Sequence, residues 1–318
     1  MKKLSKENYK QMVRWIYRYA FHIDLTTFQF FLEDGSSDNV VKALSFYQNE
    51  DGGFLSFDPD CWNPNSSPVS TLIAYKTLRE VGIADKNHPM LQSIIAYIRN
   101  CEYCTDKGCY WSIPSNNQYP CESYYLYPHA PWHPVDWPAE SYTNGIYVDF
   151  VLTYFEKESF MYEKILNVID YRIAILEKYI EFCSFTSGIE QTMEANDWLD
   201  FIYAIEKHGQ KTKEECQLLK ENLLEMVKNN AKPEVYQPVL NRAKERDEIE
   251  TRGYIPDDIL DEIVDSISDN RDWSKNGLIC DNPEKRIKEL TNIGYLMWPI
   301  IELIDKLKKL KQHQRIEV

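Results

Sequence analysis

Side-chain chemistry in this chain concentrates in two short segments, Asp58-Pro59-Asp60-Cys61-Trp62 and Tyr127-Pro128-His129-Ala130-Pro131-Trp132-His133. A carboxyl in a sheltered setting can keep a proton to donate near neutral pH, and an imidazole titrates there unaided. Asp58, Asp60 and His129 are therefore the candidate catalytic groups. Trp62, Trp111, Trp132, His133 and Tyr142 are the candidate ligand contacts, since their rings can steady a carbocation, an apolar chain or a sugar face. The plainer reading is that tryptophans in long loops pack the loop, and that His129 hydrogen-bonds a backbone carbonyl to fix its own. Helical spacing between His129 and His133 has no force here, because Pro128, Pro131 and Pro134 forbid the helix.

Cys101, Cys104, Cys109 and Cys121, with the two histidines beyond them, carry enough soft donors for a tetrahedral zinc. They lack the repeated C-x2-C pairs of a zinc module and end a helix where small apolar residues pack, so buried thiols are expected and no metal. No P-loop, G-x-G-x-x-G, H-E-x-x-H or G-x-S-x-G is present, and no cofactor is expected.

The elements that must hold these groups are helices. Of 318 residues 43% are hydrophobic and only 11 are glycine, and the apolar residues recur at spacings of three and four. Periodicity predicts helices over residues 4–21, 38–47, 67–82, 89–98, 141–155, 159–182 and 189–206. Another is opened by the capping box Thr212 and Glu215. Ser67-Pro68 and Asn87 with Pro89 read as two further helix starts. Residues 104–138 break the pattern with prolines and aromatics, and residues 232–253, charged and proline-marked, read as a surface excursion. Residues 256–267 and a last helix from Asn282-Pro283 to Leu310, kinked at Pro299, complete the series.

Thirty-six Lys and Arg against 50 Asp and Glu give a formal charge of -14, which repels nucleic acid and an anionic membrane surface. The polar N-terminus and the absence of a long apolar run lead to the expectation of a cytoplasmic protein without membrane insertion. The eight cysteines are then expected as thiols.

Leu44, Gln48, Gly52 and Phe54 fit the pattern L-x3-Q-x3-G-x-W/F, with weaker echoes at Asp106 to Trp111 and Asp269 to Trp273. The pattern resembles the QW repeat of the terpenoid cyclase and protein prenyltransferase superfamily, and Tyr127 to Trp132 is similar to segments of prenyltransferase-like bacterial proteins. The resemblance covers residues 38–155. It implies an all-α (α/α) toroid of helical hairpins, here a single domain over residues 1–318. It also implies a central aromatic cavity that binds or transforms an apolar, isoprenoid-like ligand. In this reading Gln48 caps the second predicted helix and Phe54 is buried against the next. The acid motif D-x-D-D of the cyclases is matched by Asp58-Pro59-Asp60-Cys61 except at its last position. The zinc segment D-G-C-Y is matched by Asp106 to Tyr110 only with an insertion. Two further readings stand beside the first: a non-catalytic ligand-binding or scaffold toroid, and a carbohydrate-active toroid using Asp58, Asp60 or His129 with stacking aromatics. The loops carrying Asp58 or Asp60 and His129 are expected to meet at one cavity mouth.

Overall fold

The structure, a computed structural model, describes residues 1–122, 125–127, 143–176, 188–230, 233–268 and 292–317. Among them are twelve α-helices, one two-stranded hairpin and a 3-10 turn at Pro114–Gln118, so the chain is all-α in class. None of these helices is long and apolar enough to cross a membrane.

The chain opens with α1 (Lys6–Tyr19), where the Ser5 hydroxyl accepts from the Asn8 N–H and Met12 and Ile16 face inward. Next comes α2 (His22–Leu32), a helix that periodicity does not predict. Its sequence, HIDLTTFQFFL, spreads its apolar residues over more than one face, because Ile23 packs in one hydrophobic cluster while Phe28 and Leu32 pack in another. Then follow α3 (Ser37–Ser45), α4 (Pro68–Glu80) and α5 (Pro89–Asn100). Ser67 caps α4 as its sequence suggests, whereas the residue capping α5 is His88 rather than Asn87.

The proline-rich interruption holds β1 (Cys104–Thr105) and β2 (Gly108–Cys109), paired antiparallel. After it come α6 (Asn144–Tyr154), α7 (Phe160–Leu176), α8 (Gly188–Lys207), α9 (Lys213–Asn230), α10 (Pro233–Arg252), α11 (Asp257–Ser268) and α12 (Asn292–Gln312). The segment expected to be a surface excursion is thus the long helix α10. Its charges misled the reading: they face partners on other helices, with Arg242 and Arg246 bonded to Asp200 while Val239 and Ala243 are buried.

The predicted capping box closes on both sides at α9, with the Thr212 N–H donating to Glu215 at 2.8 Å and the Glu215 N–H to the Thr212 hydroxyl at 3.2 Å. Thr212→Ala is expected to cost about 1 kcal/mol in urea denaturation. An unchanged midpoint would mean that this end of α9 contributes nothing to stability.

Neighbouring helices pack as α2 with α3, α4 with α5, α6 with α7, α8 with α9, α9 with α10 and α11 with α12. A second series of contacts joins α4 to α6, α6 to α8, α8 to α10 and α12 to α2. The main hydrophobic cluster runs from α2 through α10, and a second gathers α1, α2, α11 and α12. The chain ends meet there, where Leu4 pairs with Ile316 and buried Arg315 bonds Asp257 and Asp261. Helices α2, α4, α6, α8, α10 and α12 supply most of the wall of a cavity of about 1610 Å³, with a contribution from α11.

Candidate functional site

Construction of the site begins at the turn after α3. Phe54 is fully buried, donates its N–H to the Thr71 hydroxyl at 3.0 Å and bridges both Gln48 and Ser67. Gly52 has φ +85°, and a Cβ there would lie 2.4 Å from the Ser93 carbonyl oxygen, so only glycine fits. Gln48 differs from expectation: its carboxamide donates to the Gly52 carbonyl at 3.1 Å, holding the turn itself rather than the carbonyls of α3.

This turn launches the segment with Asp58. The Asp60 N–H donates to one Asp58 carboxylate oxygen at 2.8 Å, and the Tyr125 hydroxyl donates to the other at 2.6 Å. Across from it, Cys61 bridges Cys121, the Trp62 N–H reaches the Pro120 carbonyl, and Asn63 bonds Asn116. Two loops more than 50 positions apart are zipped into one unit. Trp111 stacks on Tyr125 with ring centroids 4.7 Å apart and planes 20° apart, and both rings line the cavity beside Asp58.

The sequence candidates fare differently. Asp58 and Trp111 line the cavity together. Asp60 is buried, 1% exposed, and accepts from the Trp298 indole at 2.5 Å, which ties the loop to α12 rather than aiming a carboxyl into the cavity. Trp62 is 51% exposed and its indole donates to the Pro59 carbonyl, away from the cavity wall. His129, Trp132, His133 and Tyr142 lie outside the described residues, so the meeting of Asp58 with His129 is not placed. The described end of that loop, at Tyr125, does reach Asp58.

Sequence reasoning passed over most of the wall's charge. Burial by itself would raise the Asp149 carboxyl, but bonds from His208 and Lys207 and the charge of Arg79 outweigh it and hold Asp149 well below the usual carboxylate range. Asp200 is likewise lowered, burial being outweighed by Arg242 and Arg246. Lys309 spans Glu245 and Asp305, and Lys308 pairs with Glu80. None of these groups sits in a motif; apart from His208, which follows α8, each lies on a cavity-facing helix and finds its partner on another or one turn away.

Two wall carboxyls behave oppositely. Burial pushes Asp24, in the first turn of α2, up to about 7, opposed only by the Phe21 backbone N–H. Asp58 is pushed up to about 6 by burial, which overcomes the donors Tyr125 and Asp60. Both native carboxyls hold a proton more tightly than the unfolded chain does, so their stabilising contribution is full near pH 4 and is lost as pH rises to about 7. Asp24→Asn is expected to flatten the decline of the urea midpoint across that window and to stabilise the protein at pH 8. A variant profile parallel to the parent's would show that Asp24 does not carry this dependence.

The cysteines are free thiols among the described residues, with Cys104 and Cys109 sulfurs 3.2 Å apart across the small hairpin, and burial raises both. Among the described residues no group of three or more His, Cys, Asp or Glu is arranged to hold a metal ion. No known family, curated protein or solved structure matches the chain.

Proposed function

We propose that the chain is a single toroid of six helical hairpins whose central cavity binds a polyhydroxylated, sugar-like ligand against Asp58, Trp111 and Tyr125. The toroid reading is supported by the alternation of the wall, which the even-numbered helices dominate, and by the contact of α12 with α2. The ligand class rests on one observation above all: a stacked aromatic pair beside a fixed carboxyl, in a wall that sets ion pairs among apolar side chains such as Ile73, Ile146 and Ile304.

A sugar ring offers C–H faces to an aromatic plate and hydroxyls to carboxylates and cations, so it returns the hydrogen bonds that the wall loses when water leaves. An isoprenoid chain, the ligand implied by the superfamily resemblance, would desolvate the same charges and return nothing. The ion pairs and the aromatic plate therefore favour the carbohydrate reading over the apolar one, and binding needs no turnover.

Tryptophan fluorescence tests it. Titration with short neutral oligosaccharides should give a saturable change, weakened about tenfold, or 1.4 kcal/mol, by Trp111→Ala. Saturation by an isoprenoid alcohol or diphosphate, with no response to any sugar, would overturn the proposal.

A further inference from the structure

Charge accounting around the cavity divides its acids into paired and unpaired ones. Asp149, Asp200, Glu245 and Asp305 each face a lysine or arginine within ion-pair distance. Asp24, Asp58 and Glu262 line the same cavity and, among the described residues, pair with no cation; Glu262, on α11, accepts instead from the Asn241 carboxamide. Asp58 takes only neutral donors, the Tyr125 hydroxyl and the Asp60 N–H, and Asp24 takes only the Phe21 backbone N–H.

Both carboxyls line the cavity together with Phe57, the neighbour of Asp58, whose ring packs against that of Tyr47 with centroids 5.4 Å apart. Enclosed carboxyls without a counter-ion are costly to ionise, and here they open onto space where a ligand's positive charge can supply the missing partner. The Trp111 and Tyr125 rings beside Asp58 add aromatic surface, which attracts an ammonium through its negative face.

We propose that Asp24 and Asp58 form an ammonium subsite of the cavity, so that the ligand is a basic, amine-bearing one and, on the sugar reading above, an amino sugar. What lysine and arginine do for the paired acids of the wall, the ligand does for these two.

Calorimetric titration with three tetrasaccharides of one length separates the claims: a fully deacetylated glucosamine oligomer, its N-acetylated counterpart and a neutral glucose oligomer. The linear polyamine spermidine is the fourth probe. The amine-bearing sugar should bind at least about tenfold tighter than either uncharged one. That preference should collapse in Asp24→Asn and separately in Asp58→Asn, each shown to be folded by circular dichroism. Equal affinity for all three sugars would overturn the ammonium subsite while upholding the sugar reading. Spermidine binding that Asp24→Asn abolishes, without binding of any sugar, would uphold the subsite and overturn the sugar reading. An undiminished preference for the amine in both variants, or no binding of any probe, would overturn the subsite.

Discussion

Phe54→Ala is expected to lower the stability of the protein by about 3 to 5 kcal/mol. The ring is fully buried in the main hydrophobic cluster, and its backbone joins two bridges, to Gln48 on one side and to Ser67 at the start of α4 on the other. Removing the ring forfeits its transfer from water and leaves a hole that cannot close. Gly52 and Gly53 already press on Ser93 and Tyr97, so the turn has nowhere to collapse. The loss should appear as a lower urea midpoint with an unchanged slope. It should also loosen the loop that begins at Leu55, and with it Asp58. A loss below about 1 kcal/mol would mean that the turn is not the hinge pin of the loop.

The second large effect belongs to the buried ion pair of Arg172 on α7 and Asp197 on α8. The guanidinium donates to Asp197 at 2.7 Å and lies 4.0 Å from the Trp198 ring centroid and 5.0 Å from that of Phe201. The other Asp197 oxygen accepts the Gly145 N–H at 2.7 Å, which ties in the first turn of α6. Close approach of α6 to α8 depends on Gly145, whose added Cβ would meet the Phe201 nitrogen at 2.6 Å. Removing either partner leaves the other charge buried without its counter-charge, so Arg172→Met and Asp197→Leu should each cost about 3 to 5 kcal/mol. The double variant Arg172→Met with Asp197→Leu should recover much of that loss, because no orphaned charge remains. Chemical denaturation of the four proteins measures the cycle. Additive losses in the double variant would show that the pair acts by packing alone.

How much of this was legible in the sequence depends on whether an element presents one face or several. Helices α1, α3 and α9 could be read because each carries one apolar stripe, and α4 and α9 also by recognisable starts, Ser67-Pro68 and Thr212 with Glu215. Helix α2 could not, since its apolar residues divide between two clusters and set no single period. Helix α10 was hidden for the opposite reason: a helix that lines a charged cavity looks, in sequence, like a solvated loop.

The candidate site divides in the same way. Asp58 and Trp111 stand out by residue type and setting, and both reach the cavity. Asp60 drew equal notice, but Trp298, 238 positions away, claims its carboxylate, and such a contact leaves no local trace. Asp24 was invisible because the helix that carries it was invisible. What distinguishes it is the absence of a cation among the described residues, which can be read only once the other wall acids have been matched to theirs.

The most direct measurement of the central claim is a crystal structure of the protein with a glucosamine oligomer. The account predicts a sugar ring over the Trp111 and Tyr125 plate, within hydrogen-bond reach of Asp58, inside the wall formed by α2, α4, α6, α8, α10 and α12. A sugar bound on the outer surface, or α12 standing apart from α2 so that no cavity is enclosed, would contradict it.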